Sequence, residues 1–183
     1  VVNLTADATQ PGGLGTFGWD DEGVPAQRVE LVRKGRFVGY LTSRETAVKL
    51  AKLKGGDAEQ ARSGGAMRAS GWNRIPLIRM TNVSIEPGSW DLDDLVTDTD
   101  KGIYMETNRS WSIDDKRLNF QFGTEIGYEI RNGRRGRLLK NCTYTGMTPQ
   151  FWRSCDAVCN ADYWEIWGTP NCGKGQPSQI AHT

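Results

Sequence analysis

Apolar and polar residues alternate on both sides of Lys34-Gly35 in the stretch AQRVELVRKGRFVGYLTS. Alternation of period two around a glycine-bearing dipeptide predicts a β-hairpin, with Gly35 supplying the positive φ that a tight turn requires. The same design returns in IGYEIRNGRRGRLLKN, where Asn132-Gly133 is a strong two-residue turn signal. IPLIRMTNVSIEP alternates too and predicts a strand ending at Pro87, and GIYMET and LNFQFGTEIGYEI predict further strands. Helical spacing is confined to short stretches. LTSRETAVKLAKL places Thr42 three residues before Glu45, the spacing of a capping box, ahead of Ala47, Val48, Leu50 and Ala51. GSWDLDDLVTDTDKG offers Ser89 as an N-cap, acidic residues in the first turn, and Leu92, Leu95 and Val96 on one face. Thr148-Pro149 opens a third short helix over QFWRSCDAV. Residues 54–74 are small, polar and glycine-rich, which predicts a long loop. The expected fold is mainly β (α+β): an antiparallel β barrel or sandwich with two or three short helices.

At 183 residues the chain is long enough for one domain or a small pair with a proper core. Its 23 basic and 22 acidic side chains nearly cancel, so no global field attracts nucleic acid or an anionic membrane. No apolar run approaches the roughly 20 residues of a membrane span, and a soluble, cytoplasmic protein is expected. The chain opens on Val1 rather than methionine and has the look of a piece of something longer. Four cysteines without a secretory signal suggest free thiols or a metal ligand before a disulfide framework.

The closing segment GTPNCGKGQPSQIAHT sets Cys172 between glycines beside Lys174, with the single histidine, His182, ten residues on. Gly168, Gly173 and Lys174 have the spacing of a phosphate-binding loop. Gly175 stands where the hydroxyl should be and Pro177 forbids the following helix, so the nucleotide reading fails its own context test. Cys155 and Cys159, four apart on the third predicted helix, could share a metal or pack as small apolar side chains. Asp20, Asp21 and Glu22 could serve a calcium or magnesium ion, against a default of capping and turn formation. The arginines of RNGRRGRLLK read as a solvated hairpin tip. No nucleophile, base and orienting group share one neighbourhood, so the chain shows no complete active site.

Six segments in order, GTFGWDDEGVPAQR, GYLTSRETA, RASGWNRIPLIRMTNVSIEPG, DTDKGIYM, FGTEIGYEIRNGRRGRLLKN and PNCGKGQ, resemble the C-terminal domain of the TldD/PmbA family. These are prokaryotic metalloproteases also labelled modulators of DNA gyrase. The resemblance runs from about Gly12 to the end, and makes residues 1–183 the C-terminal domain of such a protein.

The resemblance implies a metal-dependent peptide hydrolase acting on unfolded peptides. Its metal, zinc or another divalent ion, is held by two histidines of a His-Glu-x-x-x-His helix and by one cysteine, which corresponds to Cys172. That motif is absent here. Two ligands and the general base therefore belong to an N-terminal part that this chain lacks, and no catalytic residue is expected within it. Family members work as homodimers or as dimers of related subunits enclosing a chamber. The loop from Ser63 to Trp72, with Arg62, Arg68 and Arg74, is expected to border the peptide path and to lie near Cys172. His182 is read as a polar residue of the tail, with an additional ligand role as the alternative. The rival reading is a non-catalytic partner subunit, or an assembly or regulatory module acting on gyrase.

Overall fold

A computed structural model describes residues 1–183. Contacts divide the chain into two compact units: Pro87–Trp164, together with Val1, and a discontinuous unit made of Val2–Glu86 and Glu165–Thr183.

In the discontinuous unit, β1 (Leu4–Asp7), β2 (Arg28–Arg33), β3 (Arg36–Phe37) and β6 (Asn82–Ile85) form an antiparallel sheet in the order β3-β2-β1-β6. The predicted turn holds: Lys34 and Gly35 have φ of 50° and 73° between β2 and β3. Its best-buried apolar side chains, Val2, Ala6, Ala8, Ala47 and Ala66, are small, so backbones approach closely. Asn82 ties the sheet to the preceding loop, accepting from the Gly15 amide at 2.8 Å and donating to the Asp7 carbonyl at 2.7 Å. Helix α1 (Arg44–Leu53) is capped by Ser43, one residue beyond the expected Thr42. Ser43 and Thr46, rather than Thr42 and Glu45, make the reciprocal capping pair, because the Thr42 hydroxyl accepts from the Gly64 amide at 2.8 Å.

Two small hairpins complete this unit: β4 (Met67–Arg68) with β5 (Leu77–Ile78), and β11 (Cys172–Lys174) with β12 (Gln179–Ala181). The strand expected through IPLIRMTNVSIEP is thus two strands, β5 and β6, in different sheets.

The other unit is built on β7 (Lys101–Ile113) and β8 (Asn119–Arg131), an antiparallel pair of 13-residue strands. Against the other edge of β8 lie β9 (Arg134–Leu139) and β10 (Thr143–Met147). The Asn132-Gly133 turn forms as its sequence predicts, with φ of 49° and 71°. Phe120, Phe122, Tyr144 and Phe151 make a cluster of stacked and edge-on rings that holds helix α3 (Thr148–Arg153) to β8 and β10. Helix α2 (Leu92–Asp98) starts at Asp91, not Ser89, because the Asp91 carboxylate accepts from the Asp93 amide at 2.8 Å.

Every strand pairing is antiparallel and none of the sheets closes on itself. The mainly β class with three short α-helices therefore stands, and the barrel alternative does not form. No helix is long and apolar enough to cross a membrane.

Candidate functional site around Cys172

Cys172 opens β11 opposite Ala181, so it sits at the end of a hairpin with only three registered residue pairs. Such a short hairpin has little stability of its own. Its place is set by side chains that cross to the β4–β5 hairpin. Lys174 Nζ donates to the Ile78 carbonyl at 2.6 Å. The buried Gln179 side chain donates to the Ile75 carbonyl at 2.9 Å and accepts from the Ser70 amide at 3.0 Å. Arg79, just beyond β5 and only 3% exposed, donates to the Gln179 carbonyl at 3.0 Å and also to the Cys172 carbonyl. Arg68 donates to the His182 carbonyl at 2.8 Å and to the Met80 carbonyl.

Arg68 Nε is buried without a hydrogen-bond partner. Burial, and then the charge of Arg79, push the Arg68 guanidinium below its ordinary range, while Cys172 and Asp21 act in the opposite direction. Cys172 is half-buried and forms no disulfide, and the same holds for Cys142, Cys155 and Cys159. The neighbourhood therefore offers one sulfur donor close to two guanidinium groups.

His182 follows Ala181, the residue paired with Cys172, and is exposed. Its Nδ1 lies 3.1 Å from the Pro170 carbonyl, which can only accept, so Nδ1 donates in that contact. No three histidine, cysteine or carboxylate side chains converge as a metal site would require. One thiolate suits a single position in a zinc coordination sphere, and the chain alone does not fit a complete centre.

Other sequence candidates resolve as structural. Asp20, 5% exposed, accepts from the amides of Glu22 and Val24, each at 2.9 Å, and of Met67 at 3.1 Å. Asp21 accepts from the Ala69 amide at 2.6 Å, and Glu22 from the Arg44 amide at the start of α1 at 2.8 Å. Three carboxylates engaged with separate amides form turns and a helix start rather than an open cation cage. Cys155 and Cys159 are not on one helical face, as expected from sequence, because α3 ends at Arg153. Cys159 instead bridges Trp90, and burial together with the charge of Asp91 raises its thiol pKa. Gly173 and Lys174 lie in β11, with no helix after them.

The segment from Ser63 to Trp72, expected as a loop throughout, contains β4, and it lies against the Cys172 hairpin, as expected, through Arg68 of that strand and through Ser70. It is not uniformly exposed: Ser63 and Ala66 are buried, whereas Trp72 is 99% exposed. A cleft of about 610 Å³ elsewhere in the unit, lined by Val24, Gln27, Arg44 and Val48 among others, does not include Cys172.

Arg79 and Gln179 escaped the sequence reading. The available signal was the lone charge in the apolar run Ile75-Pro76-Leu77-Ile78-Arg79-Met80.

The sequence model of the PmbA/TldA metallopeptidase C-terminal domain matches residues 1–180. A protein of Methanocaldococcus jannaschii named metalloprotease MJ0996 is 35% identical over 157 residues, covering 86% of this chain and 33% of its own length. A Saccharolobus solfataricus protein named zinc metalloprotease TldD homolog is 27% identical over 130 residues, covering 71% of this chain and 27% of its own. Among solved structures, TldE from Thermococcus kodakarensis superposes with a TM-score of 0.67 at 22% identity, covering 87% of this chain and 34% of that one. The chain thus spans about a third of the length of such relatives.

Proposed function

Because the chain belongs to the PmbA/TldD metallopeptidase family, we propose that it is the C-terminal domain of a metal-dependent peptidase and that Cys172 donates one thiolate to the metal. The observation that carries this reading is the placement of Cys172: a half-buried, unpaired thiol on a hairpin held from both strands by Arg79. Thiolate is a good zinc ligand, and the relative from Saccharolobus solfataricus is named a zinc metalloprotease. When bound, such a metal polarises a peptide carbonyl and acidifies a water towards neutral pH. The remaining ligands and the general base would come from a His-Glu-x-x-x-His helix outside these residues, so this chain alone is expected to hydrolyse nothing.

Within the chain, the Ser63–Trp72 loop would border the path of an unfolded peptide, because it lies against the Cys172 hairpin through Arg68 and Ser70. The working form is a dimer of identical or related subunits in the cytoplasm, where four unpaired cysteines suit a reducing setting.

The test is the metal content of the full-length protein, as wild type and as Cys172→Ala. About one zinc per chain in the wild type and a sharp loss in the variant is the expected result. Equal metal in both would remove Cys172 from the coordination sphere. Metal in neither would move the protein to the non-catalytic partner or the gyrase-modulator reading.

A further inference from the structure

Arg79 is a buried cation that takes part in none of the ion pairs of the chain. Burying a guanidinium without a carboxylate is costly, and such groups persist where their donors are needed. Both of its terminal nitrogens are engaged, one on the carbonyl of Cys172 and one on that of Gln179. These two residues lie on opposite strands, Cys172 at one end of β11 and Gln179 at the start of β12. The planar fork therefore spans the hairpin, fixing the backbone of Cys172 relative to its partner strand and to β5. Lys174 and Gln179 each attach one strand to the β4–β5 hairpin, and only Arg79 holds both.

We propose that Arg79 is a positioning residue for the metal ligand: by clamping the Cys172 and Gln179 carbonyls it sets where the Cys172 sulfur stands. The inference rests on the reading of Cys172 as a ligand. Groups that orient a ligand from the next layer out typically contribute 10- to 100-fold in metal affinity. A lysine cannot reproduce the effect, because one ammonium does not present two parallel donors to two strands.

The experiment is titration of the metal-free full-length protein with Co²⁺, following the thiolate-to-cobalt absorption band, in wild type, Arg79→Met, Arg79→Lys, Cys172→Ala and the double variant Arg79→Met/Cys172→Ala. Arg79→Met is expected to weaken Co²⁺ binding about 10- to 100-fold and to diminish the band. In the Cys172→Ala background the same substitution should add nothing, because its route to the metal is already cut. Losses that add in the double variant would mean a general structural role and overturn the proposal. Wild-type affinity and band in Arg79→Met, beside an impaired Cys172→Ala, would overturn it while leaving the ligand reading intact. Wild-type behaviour in Cys172→Ala would sink the ligand reading, and this inference with it. If Arg79→Met does not fold, Arg79→Lys decides: weaker binding supports the clamp, and unchanged binding refutes it.

Discussion

Asp20 is a buried carboxylate with three backbone amides on two oxygens: Oδ1 accepts from Glu22 and Val24, and Oδ2 from Met67. Replacing it with alanine removes all three charge-assisted bonds and leaves the amides to find water in a nearly closed site. At about 1.5 kcal/mol net for each bond, the loss is about 4.5 kcal/mol. Asparagine can keep the two bonds to Oδ1, but turns an N–H₂ towards the Met67 amide, so about 2 kcal/mol is expected. For a chain of this length each kcal/mol moves the melting midpoint by about 2–4 °C, which puts Asp20→Ala on the order of 10 °C below wild type. Scanning calorimetry of the three proteins, with and without millimolar calcium, is the assay. An Asp20→Ala protein within about 1 kcal/mol of wild type would refute the assignment of this side chain to turn closure. So would a calcium-dependent rise of the wild-type midpoint that Asp20→Ala abolishes, since it would restore the cation reading of Asp20, Asp21 and Glu22.

Two further outcomes test the Pro87–Trp164 unit. Gly133→Ala puts a side chain at φ of 71° and drives its Cβ into the Thr97 carbonyl, so a loss of about 2–4 kcal/mol is expected as a lower urea midpoint at unchanged slope. Asp114, in the turn between β7 and β8, is held below the ordinary carboxyl range by the Leu118 and Asn119 amides and then by the Asn119 side chain. A depressed carboxyl stabilises the fold above its unfolded pKa and loses that contribution as pH falls through its folded one. The melting difference between wild type and Asp114→Asn should therefore be full at neutral pH and shrink below about pH 4; a difference independent of pH would contradict the assigned cause.

The sequence reading succeeded where structure is decided within a few residues. Lys34-Gly35 and Asn132-Gly133 announce their turns because both positions of each turn take positive φ, which few dipeptides tolerate. It slipped where a distant partner claims a side chain. Thr42 is a competent N-cap, but Gly64 takes its hydroxyl and the cap passes to Ser43. The second half of β7, Glu106–Ile113, is exposed throughout and carries no alternating apolar signal. It is a strand because β8 supplies its backbone partners. β1 was hidden by small residues, Thr5 and Ala6, whose burial leaves little trace in hydrophobicity.

Around the site, Cys172 stood out through its glycine-rich segment and the family resemblance. Arg79 and Gln179 could not, since their contact joins residues 100 apart in sequence and leaves no local pattern.

The discontinuity of the unit that carries Cys172 also sets an order of events during synthesis. Residues 2–86 emerge before residues 165–183, so Arg79, Ser70 and Arg68 find their partners at Gln179 and His182 only after 100 to 114 further positions. Pro87–Trp164, whose pairings join neighbours along the chain, can close in the meantime, because short loops cost less entropy and form faster. The thiol setting can thus assemble only after the intervening unit has been synthesised. Until then two guanidinium groups and the β4–β5 hairpin wait without the carbonyls that they are built to hold, and a nascent chain interrupted before Gln179 has every strand of the four-stranded sheets but no seat for Cys172.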